Sequence, residues 1–426
     1  MTTQDDEATS RMRGDAHERA AGEPVVLGFD PAVAWPAVSF EEHPWSSDSD
    51  YGLSHRARLR SRGPYRAAVP PTIAHLDVPA LTRDSALEAE DAVSSLARFD
   101  GEYGSIAAPF SAMLLRSESA SSSEIEQLTA QPTNIALAEL GAKSSTNARL
   151  IVANTRAMEA AISLSGDLDQ AAIIAMQSAL LVDSSPHMTG DWRTTQVWIG
   201  GGLSNSPHTA SFVPPHHARV PALMADLVAF ARRTDLPALP HIAITHAQFE
   251  TIHPFPDGNG RTGRAIVHSM LHRMGITTNV TVPVSAGLLQ DTAGYFQALE
   301  AYRAGDVVPI VDAFSRACVS ALSNGRQLVA DLTHFRSYAE QSTSARRGSA
   351  AWRAIDVLVR APVVDARSLS LELGVTPQNA QAGIDRLVGD GILEQVTEGR
   401  RNRYYRASPV LIALDEFAQR ARRRRR

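Results

Sequence analysis

Apolar residues recur at the spacing of a buried helical face through most of the chain between residues 81 and 330. This pattern predicts helices over 85–99, 132–140, 146–164, 168–181, 221–232 and 239–252. The longest nearly apolar stretch, 171–182, is too short for a membrane span of about 20 residues and predicts a buried helix instead. We therefore expect a mostly α-helical protein.

One segment departs from the helical pattern. Two short runs of β-branched and aromatic residues flank a loop with three consecutive glycines, and prolines follow the second run. This arrangement predicts a hairpin of two short strands. The strand residues are Val197, Trp198, Ile199, Ser211, Phe212 and Val213.

The last part of the chain has a pattern of its own. Three helical stretches are followed by two short apolar runs around a turn at 398–401. The helices are predicted over 350–359, 366–373 and 378–388. Helix, helix-turn-helix and β-wing in this order are typical of a winged helix.

The predicted wing is basic, with Arg400, Arg401, Arg403 and Arg406. Such a cluster favours contact with nucleic-acid phosphates. DNA binding is one interpretation of this module, and a protein-interaction or dimerisation module is the other.

Changes in composition divide the chain into six segments. We predict a disordered N-terminus at 1–30, an N-terminal helical domain at 31–165, a helical core at 166–330, a linker at 331–348, a winged helix at 349–412 and a basic tail at 413–426. Within the second segment, residues 31–80 mix Trp and Pro with polar runs, which predicts irregular structure packed on the core.

Composition excludes several classes of protein. The 426 residues include 41 Lys and Arg against 46 Asp and Glu, and 44% are hydrophobic, as in a soluble globular protein. Cys318 is the single cysteine, so an internal disulfide and a cysteine-rich zinc site are both excluded. The N-terminus is acidic and shows no signal-peptide pattern, so we expect a cytoplasmic protein.

The segment 253–264, His-Pro-Phe-Pro-Asp-Gly-Asn-Gly-Arg-Thr-Gly-Arg, carries the candidate chemistry. Pro254 ends the preceding helix and so places His253 at the helix end, next to the following loop. Gly258 and Gly260 allow left-handed backbone angles, through which N–H groups can converge on an anion.

A second helix is predicted over 261–274, with its positive end at this loop. Arg261 and Arg264 lie on one face of that helix and suit adjacent phosphates. Asp257 offers an oxygen ligand for a Mg²⁺ ion shared with phosphate oxygens. Together these residues predict a phosphoryl- or nucleotidyl-transfer site.

The segment resembles the signature of the Fic (filamentation-induced-by-cAMP) family, H-x-F-x-[DE]-G-N-G-R-x-x-R, at every defined position. The resemblance covers residues 35–320 and implies a helical Fic core with a β-hairpin flap. It implies an enzyme that transfers AMP from ATP to a Tyr, Thr or Ser hydroxyl of a target protein, which can be the enzyme itself.

The resemblance also implies roles for individual residues. His253 is the expected general base, Asp257 the expected Mg²⁺ ligand, and the hairpin the flap on which a target segment adds as a strand. The residues expected to bind the nucleotide and its phosphates are Gly258, Asn259, Gly260, Arg261, Arg264 and Tyr295.

Upstream, Ser122 and Glu126 match the S-x-x-x-E part of the family's inhibitory-helix motif. The resemblance implies that this glutamate pairs with Arg264 and competes with the γ-phosphate for one guanidinium group. Gln127 departs from the pattern, which has Gly or Asn there. The chain thus resembles the self-inhibited class of the family.

Other interpretations stay open. The same scaffold could transfer the γ-phosphate or remove AMP, or the chain could be a DNA-binding regulator whose Fic part only senses nucleotide. A zinc site formed by His246, Glu250 and His253 is a weaker alternative, because no further ligand is evident. DNA, through the winged helix, and a second copy of the chain are the further partner hypotheses.

Overall fold

A computed structural model describes residues 35–45, 63–104, 107–200, 206–396 and 403–423. The disordered segment predicted at 1–30 and the wing turn predicted at 398–401, with Arg400 and Arg401, lie outside these ranges, as do the last three arginines.

Helices dominate the described chain from residue 83 to residue 342. They are α1 (Arg83–Gly104), α2 (Ala107–Ile125), α3 (Pro132–Glu139), α4 (Thr146–Ser163), α5 (Gln170–Leu181), α6 (Val220–Ala231), α7 (Ala238–Ile252), α8 (Asn259–Arg273), α9 (Val284–Leu289), α10 (Thr292–Arg303) and α11 (Val308–Ser342). The predicted helices correspond to α1, α3 to α8 and the C-terminal ones described below. The mostly helical fold class is confirmed.

A two-stranded antiparallel sheet lies within residues 35–80, where the sequence pattern indicated irregular structure. β1 (Ser39–His43) pairs with β2 (Tyr65–Val69). Each strand has five residues, which is too short to show a period of two among the surrounding Trp and Pro residues. The Ala68 N–H donates to the Val213 carbonyl oxygen at 3.0 Å, so β2 also contacts the flap.

α7 and α8 lie in the main hydrophobic core. All residues of α7 from Leu239 to Ile252 are buried. The buried Gln248 of this helix is bonded at both ends of its amide group: its Nε2 donates to the Pro71 carbonyl at 2.8 Å and its Oε1 accepts from the Tyr302 hydroxyl at 2.9 Å. The C-terminal end of α7 is thereby held firmly in place.

The C-terminal segment combines helices with a small sheet. Its elements are α12 (Ala350–Arg360), β3 (Val363–Val364), α13 (Ala366–Leu373), α14 (Pro377–Gly389), β4 (Glu394–Gln395), β5 (Tyr405–Arg406) and α15 (Ser408–Arg422). The strands form one antiparallel sheet in the order β3-β5-β4.

The segments predicted as a linker and a basic tail are largely helical. The predicted linker at 331–348 belongs to α11 as far as Ser342, and the predicted basic tail at 413–426 belongs to α15 as far as Arg422. Phe417 and Ala421 of α15 are buried, and the helix packs against α2 and α11. Clustered arginines obscure this apolar face in the sequence.

Among the described helices, none combines the length and the apolar composition that a membrane span requires.

Candidate active site

His253 ends α7 in a left-handed conformation. Its φ is 50°, and its N–H donates to the Phe249 carbonyl oxygen at 2.9 Å. Such a conformation costs a non-glycine residue about 1–2 kcal/mol, so surrounding contacts must hold it. One contact is visible, because Nε of Arg193 donates to the His253 carbonyl oxygen at 2.8 Å. The helix end predicted at His253 is confirmed.

Charged side chains surround the His253 ring. Its Nδ1 lies 3.9 Å from Oε2 of Glu250, and the side chain is 22% exposed. Burial lowers the pKa of His253 well below its usual range, and the nearby cations Arg193 and Arg303 lower it further. The ring is therefore neutral at pH 7, as a proton acceptor requires. Burial raises the pKa of the Glu250 carboxyl group to about 7.

Asn259 shapes the loop after His253. Its Oδ1 accepts from the Phe255 N–H at 2.8 Å, and its Nδ2 donates to the Phe255 carbonyl at 2.9 Å. Gly258 has a φ of 82°, and a Cβ there would lie 2.8 Å from Cδ2 of Leu180, so both backbone and packing require glycine. The Asn259 side chain is thus engaged within the loop, and its backbone N–H is the first of α8, which has no acceptor within the helix.

Glu126 joins the two motif arginines. Its Oε1 accepts from Nη2 of Arg264 at 2.8 Å, and its Oε2 accepts from Nε of Arg261 at 2.8 Å. Ser122, near the same helix end, also binds Arg264. The Ser122 Oγ accepts a hydrogen bond from Nε of Arg264 at 2.8 Å, and the Ser122 carbonyl oxygen accepts one from Nη2 of Arg264 at 2.7 Å. The structure thus brings together Glu126 and Arg264 as predicted, and adds Arg261.

Gly260 provides the space that the Glu126 carboxylate fills. A Cβ at this position would collide with Oε1 of Glu126 and lie 2.9 Å from Nη1 of Arg264. Nη1 of Arg261 is buried and has no hydrogen-bond partner in the described part of the chain. The carboxylate therefore occupies a cradle of cations and helix N-terminus that also suits a phosphate.

The position of Glu126 is fixed by a left-handed turn directly after it. Gln127 has a φ of 63°, and its N–H donates to the Glu124 carbonyl at 2.8 Å. The Leu128 N–H donates to the Ser123 carbonyl at 3.0 Å. These two bonds form a Schellman motif, in which the left-handed residue is usually Gly or Asn. Although the family pattern has Gly or Asn at this position, Gln127 keeps the same helix-end geometry. The left-handed backbone of Gln127 costs about 1–2 kcal/mol of stability.

Asp257 lies at the edge of this cradle with a half-exposed side chain. Its Oδ1 accepts from the Gly258 N–H at 2.6 Å and lies 3.5 Å from Nη2 of Arg261. Among the described residues, no group of three or more His, Cys, Asp or Glu side chains could hold a metal ion. A single carboxylate beside a phosphate cradle fits Mg²⁺ bound mainly by phosphates and water, and it does not fit zinc.

One antiparallel bridge joins the two sides of the predicted flap. The Ile199 N–H donates to the Phe212 carbonyl at 2.8 Å, and the Ser211 N–H donates to the Ile199 carbonyl at 2.8 Å. Loop residues 201–205 lie outside the described ranges. Val213 is buried in a small cluster that includes Trp198, while Val197 is half-buried and Ser211 exposed.

Tyr295 lies close to Arg264 inside the protein. Its ring is 2% exposed, and its hydroxyl lies 2.7 Å from Nε2 of His246. A ring buried in this way offers no face for stacking on a nucleotide base. We therefore leave Tyr295 out of the nucleotide contacts proposed below and assign it to the packing that supports Arg264.

Two cations of the site carry no signal in the sequence. Arg193 is 60 positions away from His253, and Arg303 lies at the end of α10, where its Cζ is 3.8 Å from the centre of the Phe212 ring. Isolated arginines are common on protein surfaces, so composition gives no reason to select these two. Only the long-range packing of the chain reveals them.

Gln381 and Arg386 of α14 are engaged in local bonds. Nε2 of Gln381 donates to Oδ1 of Asp385 at 2.7 Å, and Nη1 of Arg386 donates to Oγ of Ser344 at 3.0 Å. In the sheet, Arg406 pairs with an acidic residue of β4 at 3.1 Å. These bonds would have to break before the same side chains contacted DNA.

The site therefore combines a neutral imidazole, an anion cradle at a helix N-terminus, two buried arginines and a half-exposed carboxylate. This combination defines a site that binds phosphate groups next to a proton acceptor. Residues 167–271, which include His253 and Arg264, match the Fic/DOC family. The chain carries a Fic/DOC family domain.

Named relatives match about a third of the chain. Protein adenylyltransferase fic-1 of Caenorhabditis briggsae is 31% identical over 142 residues, which are 33% of this chain and 25% of the relative. Protein adenylyltransferase Fic of Drosophila erecta is 27% identical over 139 residues, or 33% of this chain and 26% of the relative. The match spans about a quarter of the length of these relatives.

Solved structures of Fic proteins are also similar. A Fic family protein from Desulfovibrio desulfuricans covers 78% of this chain and 98% of its own, at 21% identity and a TM-score of 0.49. Fic-1 from C. elegans covers 58% of this chain and 74% of its own, at 19% identity and a TM-score of 0.43.

Proposed function

We propose that the protein transfers AMP from ATP to a hydroxyl group of a protein and inhibits itself through Glu126. The observation that carries this proposal is the Glu126 carboxylate bound between Arg261 and Arg264 in the cradle over Gly260. This carboxylate marks where an anion binds, and a triphosphate would compete for the same donors. The names of the relatives that match a third of the chain support AMP as the transferred group.

In the proposed reaction, the target hydroxyl attacks the α-phosphorus of ATP. A new oxygen–phosphorus bond forms while the bond to the bridging β-phosphate oxygen breaks, and pyrophosphate leaves. His253 accepts the hydroxyl proton, and because its Nδ1 is beside Glu250, we assign Nε2 as the acceptor. The neutral ring is in the correct protonation state for this step.

The remaining residues bind and orient the triphosphate. Backbone N–H groups at 259–260 and Arg261 stabilise phosphate charge, and Arg264 binds the γ-phosphate once Glu126 has withdrawn. Mg²⁺ held by Asp257 and the phosphates would neutralise charge on the departing pyrophosphate. A target segment would pair its backbone with the flap, a contact that leaves the identity of its side chains open.

For residues 349–412 we propose a winged-helix fold, supported by the order of α12, α13 and α14 and by the β3-β5-β4 sheet. DNA binding and a homodimer stay predictions. A mobility shift with genomic fragments tests the first, and sedimentation of the full chain tests the second.

ATP labelled separately at the α- and γ-positions tests the proposed reaction. In the Glu126→Gly protein with Mg²⁺, we expect α-label on protein, and we expect its loss when His253→Ala is added although ATP still binds. Transfer of γ-label alone would show a phosphoryl transferase instead. No transfer of either label, together with DNA binding, would favour the nucleotide-sensing regulator.

A further inference from the structure

Arg193 is a buried arginine that donates to four carbonyl groups around His253 and the flap. The residue is 2% exposed. Its Nε donates to the His253 carbonyl at 2.8 Å, and its Nη2 lies 3.5 Å from the carbonyl oxygen of Ile252. Its Nη1 donates to the Thr195 carbonyl at 3.0 Å, and Nη2 donates to that of Pro215 at 2.6 Å.

These acceptors belong to two parts of the site. Ile252 and His253 end α7, where backbone carbonyls lack helical partners and attract a cation. Thr195 precedes the first flap strand and Pro215 follows the second, so one guanidinium group ties both sides of the flap to the residue proposed as the base. Burial lowers the pKa of Arg193 to about 10, which leaves it cationic at pH 7.

The neighbouring backbone strengthens the same connection. The Arg193 N–H donates to the Pro254 carbonyl at 2.9 Å, and the Trp192 ring lies 5.1 Å from the Phe255 ring. Within the described ranges, no carboxylate pairs with the Arg193 side chain. Burying a cation costs free energy, and neutral carbonyl groups offset only part of that cost. The burial of Arg193 therefore indicates a requirement for the geometry of the backbone that it contacts, and not for stability alone.

We propose that Arg193 is a positioning residue that fixes the distance between a target hydroxyl bound at the flap and the ring of His253. This inference rests on the proposed function. A misplacement of about 1 Å between reacting groups can cost about 10²-fold in rate. The proposed ATP contacts are backbone at 259–260 and the motif arginines, none of which Arg193 touches. Arg193 should therefore affect the rate at saturating ATP and leave ATP affinity unchanged.

The test uses full-length Glu126→Gly protein, in which auto-modification by α-labelled ATP is measured at saturating ATP, and ATP affinity is measured by calorimetry. We expect Arg193→Gln to lower the rate about 10²-fold with ATP affinity changed less than about twofold, and Arg193→Lys to lower it about tenfold. The matched control is Arg273→Gln. Like Arg193, Arg273 donates to backbone carbonyls at the C-terminal end of a helix, here those of Ala231 and Arg232 at the end of α6, at 2.9 and 2.7 Å.

The pH profile adds a readout that loss of packing alone would not change. Among the described residues, the titratable and charged groups that face His253 are Glu250, Arg193 and Arg303. The Arg193 cation disfavours a proton on His253, so Arg193→Gln should raise the pKa of His253 and move the acid limb of the rate to higher pH. Arg193→Lys keeps the charge and should leave that limb in place.

The outcomes are distinguishable. Absence of label in the Glu126→Gly parent would reject the proposed function, whereas an active parent with unchanged Arg193 variants would reject only this inference. A parallel loss of ATP affinity, or an equal loss of rate in Arg273→Gln, would show a general structural role and overturn it. If Arg193→Gln does not fold, Arg193→Lys must still show a lowered rate with unchanged ATP affinity.

Discussion

Nη2 of Arg264 donates a hydrogen bond of 2.8 Å to Oε1 of Glu126, although the two residues are 138 positions apart in the sequence. The contact connects the C-terminal end of α2 with the N-terminal half of α8. Both elements are held by other buried groups, since Glu118 of α2 lies 2.8 Å from Nε2 of His268 of α8. The proposed inhibition therefore depends on one carboxylate at the end of a firmly packed helix.

The first prediction concerns ATP affinity. Glu126→Gly removes the anion that competes for Arg261 and Arg264, so we expect ATP to bind about tenfold more tightly by calorimetry, as the loss of a competing charge-assisted bond implies. Glu124→Gly is the matched control, because it removes an acid from the same segment that pairs with Arg422 instead. Equal affinities in wild type and Glu126→Gly would contradict the competition.

The second prediction concerns the left-handed turn. Gln127→Gly relieves backbone strain at φ 63° and should raise the free energy of unfolding by about 1 kcal/mol in denaturant titrations. It should also lower basal auto-modification, because the helix end that positions Glu126 becomes more stable. Gln131 has a φ of −66°, so Gln131→Gly should give no such gain. Destabilisation by Gln127→Gly would show that the side chain matters more than the backbone.

The third prediction separates Ser122 from Glu126. Ser122→Ala removes the hydroxyl that accepts from Nε of Arg264 and leaves the carbonyl contact intact. The loss of about 1 kcal/mol should raise basal label incorporation about fivefold, less than Glu126→Gly does. In Ser119→Ala, which loses only a bond to the carbonyl of Leu115 on its own helix, we expect unchanged incorporation. An equal rise in both variants would point to a general weakening of α2.

The fourth prediction uses the buried Glu250. Burial raises its pKa from 4.5 to about 7, so the folded state holds this proton more tightly than the unfolded state. The stability from that proton is present below pH 4.5 and is lost as the pH rises to 7. Relative to wild type, Glu250→Gln should therefore gain up to about 3 kcal/mol in unfolding free energy between pH 4.5 and pH 8. A difference that does not vary with pH would contradict the raised pKa.

Local sequence signals were sufficient for much of the site. Pro254, the glycines and the spacing of Arg261 and Arg264 predict a helix end, a turn and one helical face, and each depends on residues within a few positions. The helical spacing likewise predicts α5 and α7 within two residues of their observed bounds. These features need no knowledge of distant contacts.

Other features could not be predicted because they depend on tertiary contacts. Arg193 and Arg303 reach the site from separate segments, and the buried face of α15 is hidden among arginines. β1 and β2 are short strands that stabilise each other, and neither shows a pattern alone. The resemblance implied a nucleotide contact for Tyr295, yet its burial follows from packing that no motif records.

Intact-mass analysis of the full-length Glu126→Gly protein after incubation with ATP and Mg²⁺ tests the central proposal most directly. Wild type and the Glu126→Gly, His253→Ala double variant are measured in parallel. We predict that Glu126→Gly gains the mass of an adenylyl group, that wild type gains far less, and that the double variant gains none. A phosphate mass in place of the adenylyl mass, or no gain in Glu126→Gly, would contradict the account.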